Sequence, residues 1–420
     1  MASKTANLHL MNNTNETNSG RTKARTEVCL KRSARLPDRL RLARYRKAPE
    51  YGPRMLFFSG GTAMNSLSRQ LTEYTHNSIH LITPFDSGGS SAKLREAFGV
   101  LGVGDFRSRL MALADQSVKG QGKIFRLLSF RFPKDASPEK LRSRLQDMVN
   151  GRNPLVSPIM DPMQKIIRNH LRYFCEQMPD GFDLRGASIG NLALVGGYIN
   201  NARDMEPAIF LFSKLVETRG IVRPIVGESL HLAAELADGT RLVGQHRITG
   251  KEVPPIESPI KDVYLVRGLH DPTPVETSID EKVRRLIGKA DLICYSVGSF
   301  YSSLIANLLP QGVGDAVGDT DCPKVYISNR GVDPEQYGMS LLQRVRVLLK
   351  YLRARAKRKM RTDELVNFVL VDSRGGAVTP QELRAVRDLG IGVVDHPLVT
   401  KSSTPYLDDG QVLSVIVSLT

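Results

Sequence analysis

From residue 54 onward, short apolar runs alternate with stretches whose apolar positions recur at helical spacing. Met55-Leu-Phe-Phe58 runs into Ser59-Gly-Gly-Thr62 and then Met64, Leu67 and Leu71, which predicts strand, glycine turn and helix. Ile79–Thr83 predicts a second strand, ending in Pro84-Phe-Asp-Ser-Gly-Gly-Ser-Ser91. The periodicity predicts helices over 105–115, 137–150, 160–178 and 189–219, the second opened by Ser137-Pro138 as cap and first turn. Strands are expected at Ile221–Val226, Leu230–Leu236 and Arg241–Gln245, the last two joined by the hairpin signal Asp238-Gly239. Residues 261–268 read as strand and 279–288 as helix. Asp291–Tyr295 then leads into Ser296-Val-Gly-Ser299, and Val325–Ser328 into Asn329-Arg-Gly331. A long helix over 340–361 and late strands at Phe368–Val371 and Gly392–Val394 complete the pattern. Strands alternating with helices predict an α/β fold: a doubly wound, mostly parallel sheet with a helical middle region and a small antiparallel hairpin insertion near 221–268.

Composition narrows the class. With 420 residues, 41% of them hydrophobic, the chain has enough apolar material for a sizeable core. No apolar run approaches the roughly 20 residues of a membrane-spanning helix, and the basic N-terminal segment has no apolar signal region. Cys29, Cys175, Cys294 and Cys322 form no CxxC pair, so zinc ribbons and disulfide frameworks are not expected and a cytoplasmic location is. The net charge of +16 is local: residues 1–50 hold 12 basic and 4 acidic side chains, and residues 344–361 hold nine basic and no acidic ones. Residues 1–50 are read as a basic, disordered tail and 51–420 as the globular unit. The tail and residues 344–361 are candidate surfaces for a protein or anionic partner, although no motif that reads nucleic-acid bases accompanies them.

The chemistry is positional. Loops rich in Gly, Ser or Asn follow several strands, and in an open parallel sheet such loops meet at one crevice. Helix N-termini there offer free N–H groups suited to phosphate oxygens. Gly60, Gly61 and Thr62 form the first candidate cradle. Asp86, Ser87, Gly88, Gly89, Ser90 and Ser91, with Lys93 and Arg95, form a richer one, in which a carboxylate is paired with hydroxyls and cations. A carboxylate beside a phosphate site is repulsive unless it holds a divalent cation or accepts a proton from a hydroxyl, which makes Asp86 the candidate catalytic and metal-binding group. Asp105 is expected to cap the helix that follows it, or else to be a second carboxylate. Ser188, Gly190 and Asn191 precede an apolar helical run, Gly298 and Ser299 would repeat the phosphate-loop geometry, and Asn329 follows a late strand. His76 and His80 flank a strand start and are not expected to share a metal.

These loops resemble the CofD-like superfamily, which joins the 2-phospho-L-lactate transferase of coenzyme F420 synthesis to the YvcK-type gluconeogenesis-factor proteins. The likeness spans roughly 55–335 and is clearest from Asp86 to Asp115. There DSGGSSAKLR, GVGD and LMALAD follow the order of the YvcK branch's DDGGSSGRLR, PPGD and LVALAD. Gly60-Gly-Thr62, Ser188-Ile-Gly-Asn-Leu192, the 224–244 hairpin and Ala290–Leu309 also match in order. The resemblance implies a Rossmann-like fold that binds a GDP- or UDP-linked diphosphate conjugate, and a homo-oligomer is expected. In the transferase branch a phospho-acyl group passes to a hydroxyl acceptor with Mg2+; in the other branch a UDP-sugar is bound by a non-catalytic regulator. The chain departs from the pattern at Ala63, Ser87, Ala92, Ser108, Ala187 and Ser296. Ser87 stands where the family has a second aspartate, Ala187 where it has a histidine, and Ser108 where it has an asparagine.

Overall fold

A computed structural model describes residues 35–117, 121–250, 253–376 and 378–420. The strands are β1 (Met55–Ser59), β2 (Ile79–Ile82), β3 (Ile221–Pro224), β4 (His231–Leu236), β5 (Arg241–Val243), β6 (Ile260–Val266), β7 (Leu292–Tyr295), β8 (Lys324–Ile327), β9 (Phe368–Val371) and β10 (Gly392–Asp395). Seven form one sheet in the order β3-β2-β1-β7-β8-β9-β10, every neighbouring pair parallel. The order runs outward from β1 to β3, then restarts beside β1 at β7 and runs outward the other way. That reversal between β1 and β7 defines a doubly wound, Rossmann-like sheet and its switch point.

Because both faces of the sheet are covered, its inner strands are apolar without interruption. Alternation still sorts their side chains: Met55 and Phe57 pack with the helices at 65–71 and 409–416, whereas Leu56 and Phe58 pack with the helices at 281–288 and 341–354. A second apolar cluster lies within the helices between residues 89 and 216. β4, β5 and β6 make the expected small antiparallel sheet, with Ala233 opposite Val243 across the Asp238-Gly239 turn.

Several boundaries differ from expectation for local reasons. Ile221–Pro224 is the parallel edge strand of the main sheet, not part of the insertion. The helix expected over 189–219 is two, Ile189–Asn200 and Met205–Leu215, broken where Ala202 and Arg203 take positive φ and Asp204 caps the second helix. The 340–361 helix stops at Ala354, and Met360 turns back beneath Gly318. Unexpectedly, Gly89–Phe98 is a helix, so Ser90, Ser91, Lys93 and Arg95 stand on its turns. Residues 1–34 of the expected tail lie outside the described residues. Residues 39–47, by contrast, form a helix whose Arg41 guanidinium donates to the Ser418 and Thr420 carbonyls, so this part of the basic segment is docked onto the body.

Four of the nine basic side chains at 344–361 are paired with carboxylates. Lys350, Arg355 and Arg361 pair with Asp262, Glu276 and Asp363, Arg358 pairs with both Asp319 and Glu364, and Arg344 is buried. No helix among the described residues is long and apolar enough to cross a membrane.

The helices Met163–Gln177 and Ile189–Asn200 approach so closely that a Cβ on Gly196 would sit 1.8 Å from the His170 carbonyl oxygen. Backbone cannot yield there as a side chain would. Gly196→Ala is therefore expected to cost about 1–3 kcal/mol, the usual range for overpacking, read as a lowered urea midpoint with an unchanged slope.

Candidate functional site

The turns after β1 and β7 meet at the switch point: a Cβ on Gly298 would lie 3.6 Å from that of Ala63. Around this contact the structure forms two cavities. Thr62 lines one and Ala63 lines the other.

The first is a cleft of about 540 Å³. Three helices begin on it, Gly89–Phe98, Val103–Ala112 and Ile189–Asn200, presenting Gly89, Ser90 and Ser91, then Gly104 and Asp105, then Asn191. The positive dipole ends of all three therefore face one space, where the Gly104 amide is held by Ser91 Oγ at 3.2 Å and the Ile189 amide by the Phe130 carbonyl. Asp86 Oδ1 accepts from the Gly88 amide at 3.1 Å, closing an Asx turn, and its carboxylate lines the cleft. Asp105 is not a cap: it stands in the first turn of its helix and accepts from the Gly61 amide at 2.7 Å, across 44 residues of sequence. The positive φ of Gly61 permits this approach. Asn191 is 1% exposed; its amide donates to Ser90 Oγ at 3.2 Å while its own Oδ1 has no partner among the described residues.

Arg107, Arg131 and Lys134 also line the cleft, and sequence reasoning missed all three. None has a carboxylate within ion-pair distance among the described residues. Burial, and then the nearby Arg131, lower the pKa of Arg107 to about 10, and its Nε is buried without a partner. Gly190 explains how Arg107 reaches the cleft, since a Cβ there would meet the Arg107 stem at 2.8 Å and the Leu128 carbonyl at 2.6 Å. Lys93 is less available: Asp183 holds it at 2.7 Å and also binds Arg185, and those two cations keep the Asp183 carboxyl well below its usual range.

Other expected residues do different work. Arg95 is 6% exposed and turns away, donating to the carbonyls of Asp86 at 3.1 Å and Leu230 at 2.6 Å. It clamps the small sheet to the loop and does not face a ligand. Ser87 is buried, its hydroxyl 2.9 Å from His246 Nδ1, a second clamp to the insertion. Ser188 is fully buried, and Gly60 fits beneath the Thr83 hydroxyl, where a Cβ would lie 2.6 Å away. Gly298, Ser299 and Asn329 line the second cavity, with Asn329 Nδ2 donating to the Gly298 carbonyl at 2.8 Å. The phosphate cradle expected at 298–299 is changed by the chain itself. Asp333 accepts from the Phe300 amide at 2.8 Å, and Glu335 accepts from the Tyr301 and Ser302 amides at 2.7 and 2.8 Å. Those donors are taken.

A larger cavity of about 990 Å³ lies along the edge strand β3, away from the switch point. Its Arg219 pairs with Asp115, Arg223 with both Glu206 and Asp280, and Lys282 with Glu206. Among the described residues no group of three His, Cys, Asp or Glu side chains could hold a metal ion. Asp86 offers a single carboxylate. Mg2+ commonly takes one carboxylate with phosphates and waters, so the cleft fits a cation brought by a diphosphate and not one caged by protein.

Fold and cleft together define a doubly wound α/β protein with an anion-suited cleft at its switch point. The model of the family described as 2-phospho-L-lactate transferase CofD matches residues 55–398, and the chain belongs to that family. It is 29% identical over 298 residues to a putative gluconeogenesis factor of Nostoc sp., covering 71% of this chain and 52% of that protein. It is 29% identical over 282 residues to the gluconeogenesis factor of Bacillus subtilis, covering 67% of this chain and 69% of the relative. The chain thus spans about half the length of the Nostoc protein. A solved structure of a UPF0052 family member from Bacillus halodurans superposes with a TM-score of 0.64 at 23% identity, covering 87% of this chain and 99% of that one, and shows the same fold.

The clamp between insertion and loop is sensitive to acid. Burial, then Arg95 and His246, depress His231 to about 4, below the ordinary 6.5. Between those values the unfolded chain binds the proton and the folded chain does not, so this contribution is complete above about 6.5 and lost as pH falls toward 4. Thermal melts should show stability declining across that window, and His231→Gln should flatten the decline.

Proposed function

We propose that the cleft binds the diphosphate of a nucleotide diphosphate conjugate, with Arg107, Arg131 and Lys134 as its counter-charges and the starts of the three helices as its amide donors. The observation that supports this is the convergence of three helix N-termini on cations that have no carboxylate partner among the described residues. Such a site is under-neutralised without an anion, and a diphosphate matches its charge and spread. Thr62, Gly88, Gly89, Ser90, Ser91 and Asn191 supply the surrounding polar wall.

The chemistry that follows from family membership is phospho-acyl transfer to a hydroxyl. The acceptor oxygen bonds to the phosphorus of the phospho-acyl group, and the bridging P–O bond breaks. The nucleoside monophosphate leaves with that electron pair, and the acceptor proton passes to the Asp86 carboxylate. The cations stabilise charge on the leaving phosphate. When bound, Mg2+ would neutralise diphosphate oxygens beside Asp86.

A second reading is favoured by one observation. Ser87, standing where the family has its second aspartate, faces His246 and not the cleft. A chain that lacks the second carboxylate of that loop fits a non-catalytic UDP-sugar-binding regulator of the gluconeogenesis-factor type, the name its relatives carry.

Titration of the full chain with GDP- and UDP-linked sugars, with and without Mg2+, tests both readings. Arg107→Gln is expected to weaken conjugate binding about tenfold or more, as loss of one charge-assisted contact implies. Asp86→Asn is expected to leave binding within about threefold while lowering any transfer to a hydroxyl acceptor at least 100-fold, the scale of a lost general base. Tight binding without turnover in either form supports the regulator; no binding of any diphosphate conjugate ends the proposal.

A further inference from the structure

The second cavity, also about 540 Å³, is lined by Ala63, the neighbour of the cleft's Thr62. Its chemistry is the reverse of the cleft's. The walls are largely apolar, formed by Val297, Val332, Pro334, Leu407 and Val412. Its one cation, Arg330, is occupied: it donates to the Asp372 carbonyl at 2.8 Å and lies 3.7 Å from the Asp372 carboxylate. Two carboxylates, Asp333 and Asp409, complete the lining. The amides that begin the helical turn after Ser299 are filled by Asp333 and Glu335. A phosphate would meet negative charge here and find no free donor at that helix start. The cavity therefore suits an uncharged group.

One wall is aromatic. Tyr406 lies beyond the residues matched by the family model and is 65% exposed, a large surface for a ring with no apolar cover. Its edge rests on Gly331, where a Cβ would come within 2.6 Å of the ring, so the glycine lets the tyrosine settle at the rim. Asp409, half-buried and bonded to Ser66, places an acceptor at the same rim.

We propose that this cavity seats the planar heterocycle of the bound conjugate, stacked on Tyr406, so that the ligand straddles the Gly60–Ala63 turn. Its phosphates lie on the cationic side, its ring lies on the apolar side, and Asp409 accepts from ring N–H groups. Thr62 lines the cleft and Ala63, the next residue, lines this cavity, so the two spaces adjoin at that turn. The assignment rests on the diphosphate reading above and adds the ligand's orientation to it.

The test is titration calorimetry of the full chain with GDP, UDP and inorganic pyrophosphate. Tyr406→Ala is expected to weaken at least one nucleotide about tenfold, the worth of a lost base–aromatic stack, while pyrophosphate affinity stays within twofold. Tyr406→Phe keeps the ring and should restore binding to within twofold of the unaltered chain. Arg107→Gln should weaken all three ligands. Equal losses for pyrophosphate and nucleotides in Tyr406→Ala, or no loss for any nucleotide, overturn the ring seat. If Arg107→Gln spares every ligand while Tyr406→Ala still weakens a nucleotide, the diphosphate site falls and the ring seat stands. If no nucleotide binds the unaltered chain, both fall.

Discussion

Uncompensated positive charge is the constraint around which the switch point is arranged. Three helices start on one cleft, and each start leaves amides that the helix itself cannot satisfy. Arg107, Arg131 and Lys134 add full charges to the same space. Three carboxylates share the lining: Asp183 is paired with Lys93 and Arg185, and Asp86 and Asp105 accept from the amides of Gly88 and Gly61. Burial sharpens the imbalance at Arg107, whose Nε has no hydrogen-bond partner among the described residues. A charge held this way is tolerated when something outside the chain completes it.

The far side of the same turn shows the opposite solution. After β7 the backbone again leaves the sheet and begins a helical turn, as it does after β1. Here Asp333 and Glu335 fill the first amides, and Glu335 is 1% exposed. Burial, and then the neighbouring Asp333, raise the pKa of Glu335, even though the amides of Tyr301 and Ser302 and the Ser302 hydroxyl favour its charged form. The fold thus offers two comparable anion positions and the chain closes one internally. That asymmetry gives the two cavities their contrasting chemistry.

Much of the architecture was legible because it follows from local rules. Apolar runs ending in glycine marked β1, β2 and β7, and Asp238-Gly239 marked the hairpin. The turns at 60–62 and 86–91 were legible for the same reason, since glycine and serine after a strand have few other uses. What sequence did not convey was direction. Lys93 and Arg95 sit two residues apart on one helix, yet Lys93 faces the cleft while Arg95 is turned inward to the Leu230 carbonyl. Arg107 stands on one helix and Arg131 and Lys134 on a later loop, and they meet through tertiary packing. Gly190 was noticed as part of a loop motif, although its physical role is to let the Arg107 stem pass. Asp105 carries the same lesson: capping is the local default, and the bond to Gly61 depends on a contact that sequence proximity cannot suggest.

The departures from the family pattern fall unevenly across this geometry, and their placement bears on ligand identity. Ala92 does not line the cleft, so its extra methyl leaves the diphosphate's approach unchanged, and Ser87 has left the cleft for His246. Ala187 and Ser108, by contrast, line the cleft directly, and Ala63 lines the neighbouring cavity against Gly298. Replacing a histidine and an asparagine by alanine and serine shortens two walls and removes ring and amide hydrogen-bonding groups. The cationic floor at Arg107 is untouched by these changes. On the proposed diphosphate reading, a cleft altered in this way would keep its counter-charges while changing the walls beside them, which places divergence within the family in the group attached to the diphosphate.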